Sequence, residues 1–176
     1  MTEEIPLAIP VDASPADRIA HAIARLGEEE VIERAKALLA GLNAGEGFLL
    51  WVGGPHAQGI LDGAPPLYWP EVWGARAFLY VWHDSALPGL EAGLTNQAWR
   101  VREMCLRVAS TRKLALADSV RPLLLDETAR VRAAAARTLG EIGEASDAEG
   151  LAKLFRDPEI DVRRAAQQAH SKLKPR

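Results

Sequence analysis

The chain has a single cysteine, Cys105, among its 176 residues. A lone thiol cannot close an internal disulfide, and with no CxxC or HExxH spacing anywhere there is no framework for a redox couple or a tetrahedral zinc site. The four histidines, His21, His56, His83 and His170, have no short paired spacing, so neither a metal nor a cofactor is expected. No apolar run approaches the roughly 20 residues needed to cross a bilayer. Met1-Thr2-Glu3-Glu4 is acidic where a secretion signal would be basic, and a cytoplasmic protein is the expectation. Gly53-Gly54 lacks the spacing of a dinucleotide fingerprint and the Lys-Ser/Thr of a phosphate loop, and Pro55 reads as breaking any helix start there. No Gly-x-Ser-x-Gly elbow supports a serine hydrolase. No catalytic residue emerges from the motifs.

Charge is unevenly spread. The net charge is −3, but residues 1–98 hold five basic and thirteen acidic side chains, about −8, and residues 99–176 hold sixteen and eleven, about +5. A basic C-terminal half suits an acidic partner. A nucleic-acid binder generally carries a basic whole domain, and an acidic half opposes the approach of phosphate. Nucleic acid is therefore not the expected partner, and the arginines read first as solvated faces and internal ion pairs.

What is present is a segment that recurs: Trp99-Arg100-Val101-Arg102, Ala129-Arg130-Val131-Arg132 and Ile160-Asp161-Val162-Arg163, in steps of 30 and 31 residues. A fixed period in this range marks a solenoid, whose units are too small to bury their apolar faces alone and must stack. In the second unit Val131, Ala134, Ala135, Thr138 and Ile142 fall at the spacing of an amphipathic helix. They map onto Val162, Ala165, Ala166, Ala169 and Leu173, and onto Val101, Met104, Cys105 and Val108. Each is the second helix, B, of a hairpin. The small residues at the Cys105, Ala135 and Ala166 positions let backbones approach closely.

A first helix, A, precedes each B, with large inward residues: Leu90, Gly93 and Leu94, then Val120, Leu123 and Leu124, then Leu151, Leu154 and Phe155. Ser146-Asp147-Ala148-Glu149 fits a capping box, and Asp157-Pro158 sets an N-cap beside a proline at the first helical position. Pro122 makes the second A helix either begin near Asp118 or kink.

These units resemble HEAT repeats over roughly residues 84–174, and the form Val-Arg-x-Ala-Ala-x-x-x-Leu at Val131–Leu139 resembles the bilin-lyase-type subclass. The resemblance implies a ladder between units, built from an Asp in the inter-helix turn and an Arg six residues later, here Asp126 and Arg132, and Asp157 and Arg163. Asn96 stands in the Asp's place before Arg102, which implies a weaker first rung. Taken whole, the chain is similar to small bacterial HEAT-repeat proteins. Bilin lyases share the repeat type, but the shared residues are packing ones, so the activity does not carry over. HEAT-like DNA alkylation glycosylases use aromatic and acidic side chains, which Trp69, Trp73, Asp84 and Trp99 would imitate.

Upstream of the regular units, Ser14-Pro15-Ala16-Asp17 starts a helix bearing Ile19, Ile23 and Leu26, and Val31, Ala35, Leu38, Leu39 and Leu42 mark a second. Trp69–Trp82 reads as a further B helix with Val72, Ala75 and Leu79 inward. Between them, residues 43–69 are too rich in Gly and Pro for a long helix. They are also too apolar to wave in water, so the insertion is expected to pack on the body.

All five tryptophans lie between residues 51 and 99. The candidate binding residues are Trp51, His56, Tyr68, Trp69, Trp73, Arg76, Trp82, Trp99, Arg100 and Arg130, since Trp, Tyr and Arg dominate interface hot spots. The alternative is that the aromatics hold the insertion to the stack. Arg102, Arg132 and Arg163 likewise read either as a basic stripe or as ladder arms. The expectation is one all-α solenoid domain over residues 1–176, with degenerate hairpins at 14–83 and three regular repeats at 84–174. Four or five hairpins would stack, binding a protein or peptide without catalysis; self-association is the other partner compatible with an exposed end. The competing class is an enzyme of the HEAT-like lyase or DNA glycosylase type, acting on a small molecule or nucleic acid in a pocket between insertion and helices lined by His56, Arg76 and Trp82.

Overall fold

Ser14 starts the first helix as its motif requires: the hydroxyl accepts the Asp17 N–H at 3.2 Å, and Pro15 occupies the first turn, where its missing donor costs nothing. In this computed structural model, which describes residues 8–173, helix α1 spans Pro15–Leu26 and α2 spans Glu28–Leu39. Met1-Thr2-Glu3-Glu4, read above against a secretion signal, and Lys174, read as the end of the third repeat, lie outside the described residues. All regular elements among the described residues are helical. The backbone divides into two compact units, one ending at Asp84 and the other beginning at Ser85.

In the first unit α2 turns Val31, Ile32, Ala35, Leu38 and Leu39 inward. It stops at Leu39, so Leu42, expected on its inner face, is instead 63% exposed. Residues 43–69 do pack on the body, through two short helices, α3 (Glu46–Gly53) and α4 (Pro55–Leu61). Pro55 opens α4 where it was expected to prevent a helix, because a first-turn residue needs no N–H partner. Phe48, Trp51 and Val52 are buried, and α3 packs on α1 and on α5 (Trp69–Ala77).

Helix α5 is shorter than the expected Trp69–Trp82. The N–H groups of Phe78, Leu79 and Tyr80 donate to carbonyls three residues back, a tightening that ends the helix and leaves Leu79 outside it, half-buried. Val72 and Ala75 are buried as expected. A Cβ on Gly74 would lie 2.8 Å from the Ala35 carbonyl, so glycine is what lets α2 and α5 touch.

One buried cation organises this unit. Arg18 donates from Nε to the Trp51 carbonyl at 2.8 Å, and from one Nη to the carbonyls of Val11 and Ala13. Arg76 donates to the Val52 carbonyl. Two guanidiniums therefore satisfy the orphan carbonyls at the C-terminal end of α3, where the helix dipole also favours positive charge. Burial pulls Arg18 below its ordinary pKa. Gly54, at φ 59, leaves it room, since a Cβ there would come within 2.7 Å of the guanidinium.

In the second unit the B helices stand where the period puts them: α7 (Trp99–Arg112), α9 (Ala129–Ile142) and α11 (Ile160–Leu173), preceded by α6 (Leu87–Gly93), α8 (Ala117–Val120) and α10 (Ala148–Lys153). Helix α9 packs on both α7 and α11. Cys105, Ala135 and Ala166 are fully buried at equivalent positions, and burial pushes the Cys105 thiol up to about 12. Pro122 splits the second A element into α8 and a 3-10 turn, Arg121–Leu125. The Thr138 hydroxyl, buried among apolar neighbours, lies 2.8 Å from the Ala134 carbonyl and 3.1 Å from that of Leu106. Leu106 and Ala136 are buried, but the next residue in this series, Gln167, is exposed, giving α11 a polar outer flank.

Two caps differ from expectation. The capping box is Glu144 with Asp147, two residues before the expected Ser146 with Glu149, because Asp147 turns back to accept the Glu144 N–H at 2.9 Å. Asp157 accepts the Glu159 N–H at 2.9 Å in an Asx turn, so α11 starts after Pro158 rather than with it.

The ladder is present, with a connectivity that the spacing alone does not show. Arg102 donates through Nη1 to the carbonyls of Asn96 (2.7 Å) and Gln97 (3.0 Å) in its own turn. Its Nε and Nη2 form a bidentate pair with Asp126 of the next turn, at 2.8 and 3.0 Å. Arg132 repeats this with the Asp126 carbonyl and the Asp157 carboxylate. Arg163 reaches the carbonyls of Asp157 and Pro158. The carboxylate therefore answers the preceding unit's arginine, and the position thirty residues before Arg102 is Val72. Asn96 needs only its Asx turn, in which it accepts the Ala98 N–H at 2.8 Å. The expected weak first rung is a full one.

Asp126→Ala should destabilise the protein by about 3 kcal/mol in urea unfolding, since it strands a buried guanidinium, whereas Asn96→Ala should cost only about 1 kcal/mol. Ala135→Leu should cost about 2 kcal/mol by wedging α9 from its neighbours. Arg132 and Arg121 hold the carboxyls of Asp157 and Asp147 below the ordinary value, chiefly by hydrogen bonding. A carboxylate whose pKa is lower when folded stabilises the fold above the unfolded value, about 3.9, and loses that contribution as pH falls through the folded one. The contribution of these two carboxylates should therefore be constant above about pH 5 and be lost progressively below about pH 4. Unfolding of Asp157→Asn, measured across the same pH range, should decline less.

Candidate functional site

The helical period that buries Val131 and Ala135 turns Arg130 and Arg137 outward, and the 30-residue repeat puts Arg100 and Arg107 at the matching places on α7. The B-helix face so formed carries open grooves. One, of about 480 Å³, runs between α9 and α11 and is lined by Arg130, Arg137, Asp161, Arg164 and Gln168. A second, of about 460 Å³, runs between α7 and α9 beside Arg107, Ser110, Thr111, Arg137 and Thr138. A third, of about 200 Å³, continues between α9 and α11 past Glu141 and Lys172. Arg137 lines all three.

The charges on this face sort by partner. Arg130 pairs with Glu103 at 3.1 Å and Lys172 with Glu141. Arg107 and Arg137 are exposed and meet no carboxylate among the described residues. Their groove neighbours Ser110 and Thr111 are neutral, and the one carboxylate lining the groove, Glu103, is the partner of Arg130. The middle of the face is thus a pair of cations in register, while its α11 edge mixes Arg164 with Glu159 and Asp161. Neither Arg107 nor Arg137 figured among the sequence candidates, although they recur at the same 30-residue step as the residues that did.

Of the ten candidates, three come together here. The guanidinium of Arg100 lies 4.2 Å, and that of Arg130 5.4 Å, from the centre of the Trp99 ring, two cation–π contacts on one half-buried indole. The other seven belong to the first unit. Tyr68 and Trp69 have ring centres 5.3 Å apart, and Trp69 stacks on Trp73 at 6.2 Å. Trp73 is only 3% exposed, filling the space beside Gly53, where a Cβ would come within 2.5 Å of its ring. Trp51 is buried, its indole nitrogen without a hydrogen-bond partner among the described residues. Arg76 is half-buried on the Val52 carbonyl, Trp82 is half-buried with Nε1 donating to Asp84 at 3.1 Å, and His56 stands exposed on α4.

Arg102 and Arg132 are ladder arms, as their bonds to turn carbonyls and to the next turn's carboxylate show, and Arg163 is held by the carbonyls of its own turn. The basic character of the face comes from a different set of arginines.

Residues 87–171, all within the second unit, match the family of HEAT repeats. No curated protein matches the chain. No helix among the described residues is long and apolar enough to cross a membrane. The class defined by the fold is therefore an all-α protein whose second unit is a HEAT-like repeat stack. HEAT repeats are commonly protein-interaction scaffolds.

Proposed function

We propose that the protein is a non-catalytic scaffold that binds an acidic segment of a partner protein along the B-helix face of its second unit. The observation that carries this reading is the register of Arg107 and Arg137: two exposed guanidiniums on adjacent helices that form no ion pair among the described residues, in an open groove beside Ser110 and Thr111 whose one carboxylate, Glu103, is paired with Arg130. A guanidinium fork matches a carboxylate with two parallel hydrogen bonds. The ladder and the alanine contacts hold the helices in place before binding, so little conformational entropy is lost on association. Trp99, held between Arg100 and Arg130, offers an apolar platform at one end. The Val-Arg-x-Ala-Ala-x-x-x-Leu pattern supports placing these repeats in the bilin-lyase-type subclass, through packing residues alone, and the reading fits a cytoplasmic protein.

The test is fluorescence anisotropy with labelled twelve-residue peptides, one built of Glu and Leu, one of Lys and Leu, and a short DNA duplex for comparison. The Glu/Leu peptide should bind saturably to the second-unit face, and the Arg107→Glu/Arg137→Glu pair should weaken it at least tenfold without lowering the melting temperature. Equal binding by the variant would remove the proposal. Tighter binding of the duplex, with the steep salt dependence of phosphate contacts, would replace it with a nucleic-acid reading.

A further inference from the structure

The first unit carries a cleft of opposite character. It has a volume of about 400 Å³, and its floor is apolar: Leu38 from α2, Leu49 from α3, Leu61 from α4 and Pro70 from α5. Its rim holds Leu42 and Leu67, 63% and 69% exposed, two of the three large hydrophobic side chains exposed to that degree among the described residues. Leu67 adopts φ 48, the left-handed region that leucine rarely enters, directly after Pro65-Pro66. Outliers of this kind persist where the surroundings impose them, and here the outcome is an aliphatic side chain held out at the mouth of a cleft.

The charge in the cleft is one-sided. Glu46 and Glu71 line it, and no Lys, Arg or His does. Glu71 is half-buried, with its carboxylate against Gly41, and meets no cation among the described residues; burial alone raises its pKa. Arg34, on the adjoining α2, is committed to Glu30 at 2.7 Å and to the Ala44 carbonyl at 3.2 Å. The surrounding sequence adds to the field, with five basic against thirteen acidic residues through position 98. An unpaired carboxylate on apolar walls costs stability, and its complement is a cation on an aliphatic stem beside a branched apolar group.

We propose that this cleft is a docking site for a basic amphipathic segment of a partner protein, in which a leucine-type side chain seats among Leu38, Leu49 and Leu61 and an adjacent lysine or arginine pairs with Glu71. The site stands independently of the B-helix face, differing from it in unit, in charge sign and in apolar content. The two surfaces together give the scaffold two selectivities, one for each sign of charge.

The Lys/Leu peptide of the preceding experiment is the probe. It should bind the whole protein at one site. Glu71→Gln should weaken it at least tenfold and leave the melting temperature unchanged or higher, since an unpaired charge has been removed. Leu42→Ser/Leu67→Ser should weaken it similarly. Glu29→Gln, which removes an exposed carboxylate outside the cleft, should have no effect, and neither cleft variant should alter Glu/Leu peptide binding. Undiminished binding by Glu71→Gln overturns the proposal. An equal loss in Glu29→Gln also overturns it, by showing diffuse attraction in place of a site. Sedimentation showing a dimer that Leu42→Ser/Leu67→Ser dissolves would assign the cleft to a second copy of this chain and overturn it as well. Failure of the Arg107→Glu/Arg137→Glu experiment touches the other face only.

Discussion

The second unit depends on a two-way engagement by one side chain type. Arg102 and Arg132 each fasten the turn of their own hairpin through backbone carbonyls and the next hairpin through a bidentate carboxylate, while Arg163, in the third repeat, fastens its own turn. Local geometry and inter-hairpin register are thereby set by the same guanidinium. Because each carboxylate also closes an Asx turn on its own chain, a single protonation or substitution loosens a turn and a joint together. The alanine and glycine contacts, such as Gly140 against Ala169 at 2.9 Å from a built Cβ, determine how closely the helices nest. The ladder determines their phase, and that phase brings Arg107 and Arg137 abreast on the exposed face.

Arginine thus serves two purposes in neighbouring positions of one repeat. Val131 is followed by Arg132, which is committed to turn and carboxylate, and five residues later by Arg137, which pairs with no carboxylate among the described residues. The difference is helical angle: one side chain points toward the turn of the next hairpin and the other across the groove. In the first unit a third use appears, in which Arg18 and Arg76 close the end of α3 through its carbonyls.

The B helices were readable because burial follows period, and period survives in the order of residues: Val101, Val131 and Val162, and Cys105, Ala135 and Ala166, are inward at every repeat. The A elements were placed by the same pattern, although Pro122 breaks one of them into a 3-10 turn. What escaped reading was geometry without a local signal. Arg18 bonds a carbonyl 33 residues away, and no window on α1 announces that. The direction of the ladder was missed because spacing of six within a unit hides a bond of 24 or 25 between units. The periods that point Leu42 and Leu79 inward run past the residues where α2 and α5 end. Of the site, Trp99, Arg100 and Arg130 were named from composition, while Arg107 and Arg137 were passed over even though they share the repeat.

Cys105 illustrates how tightly the alanine-lined seam is closed. Its thiol has no exposed surface and is held protonated to about 12, so at neutral pH it offers neither access nor thiolate to an electrophile. Modification must wait for the helices around it to part. With no other sulfhydryl in the chain to compete, this one atom is a chemical clock for the breathing of the second unit, its rate set by the free energy of opening and by nothing on the surface.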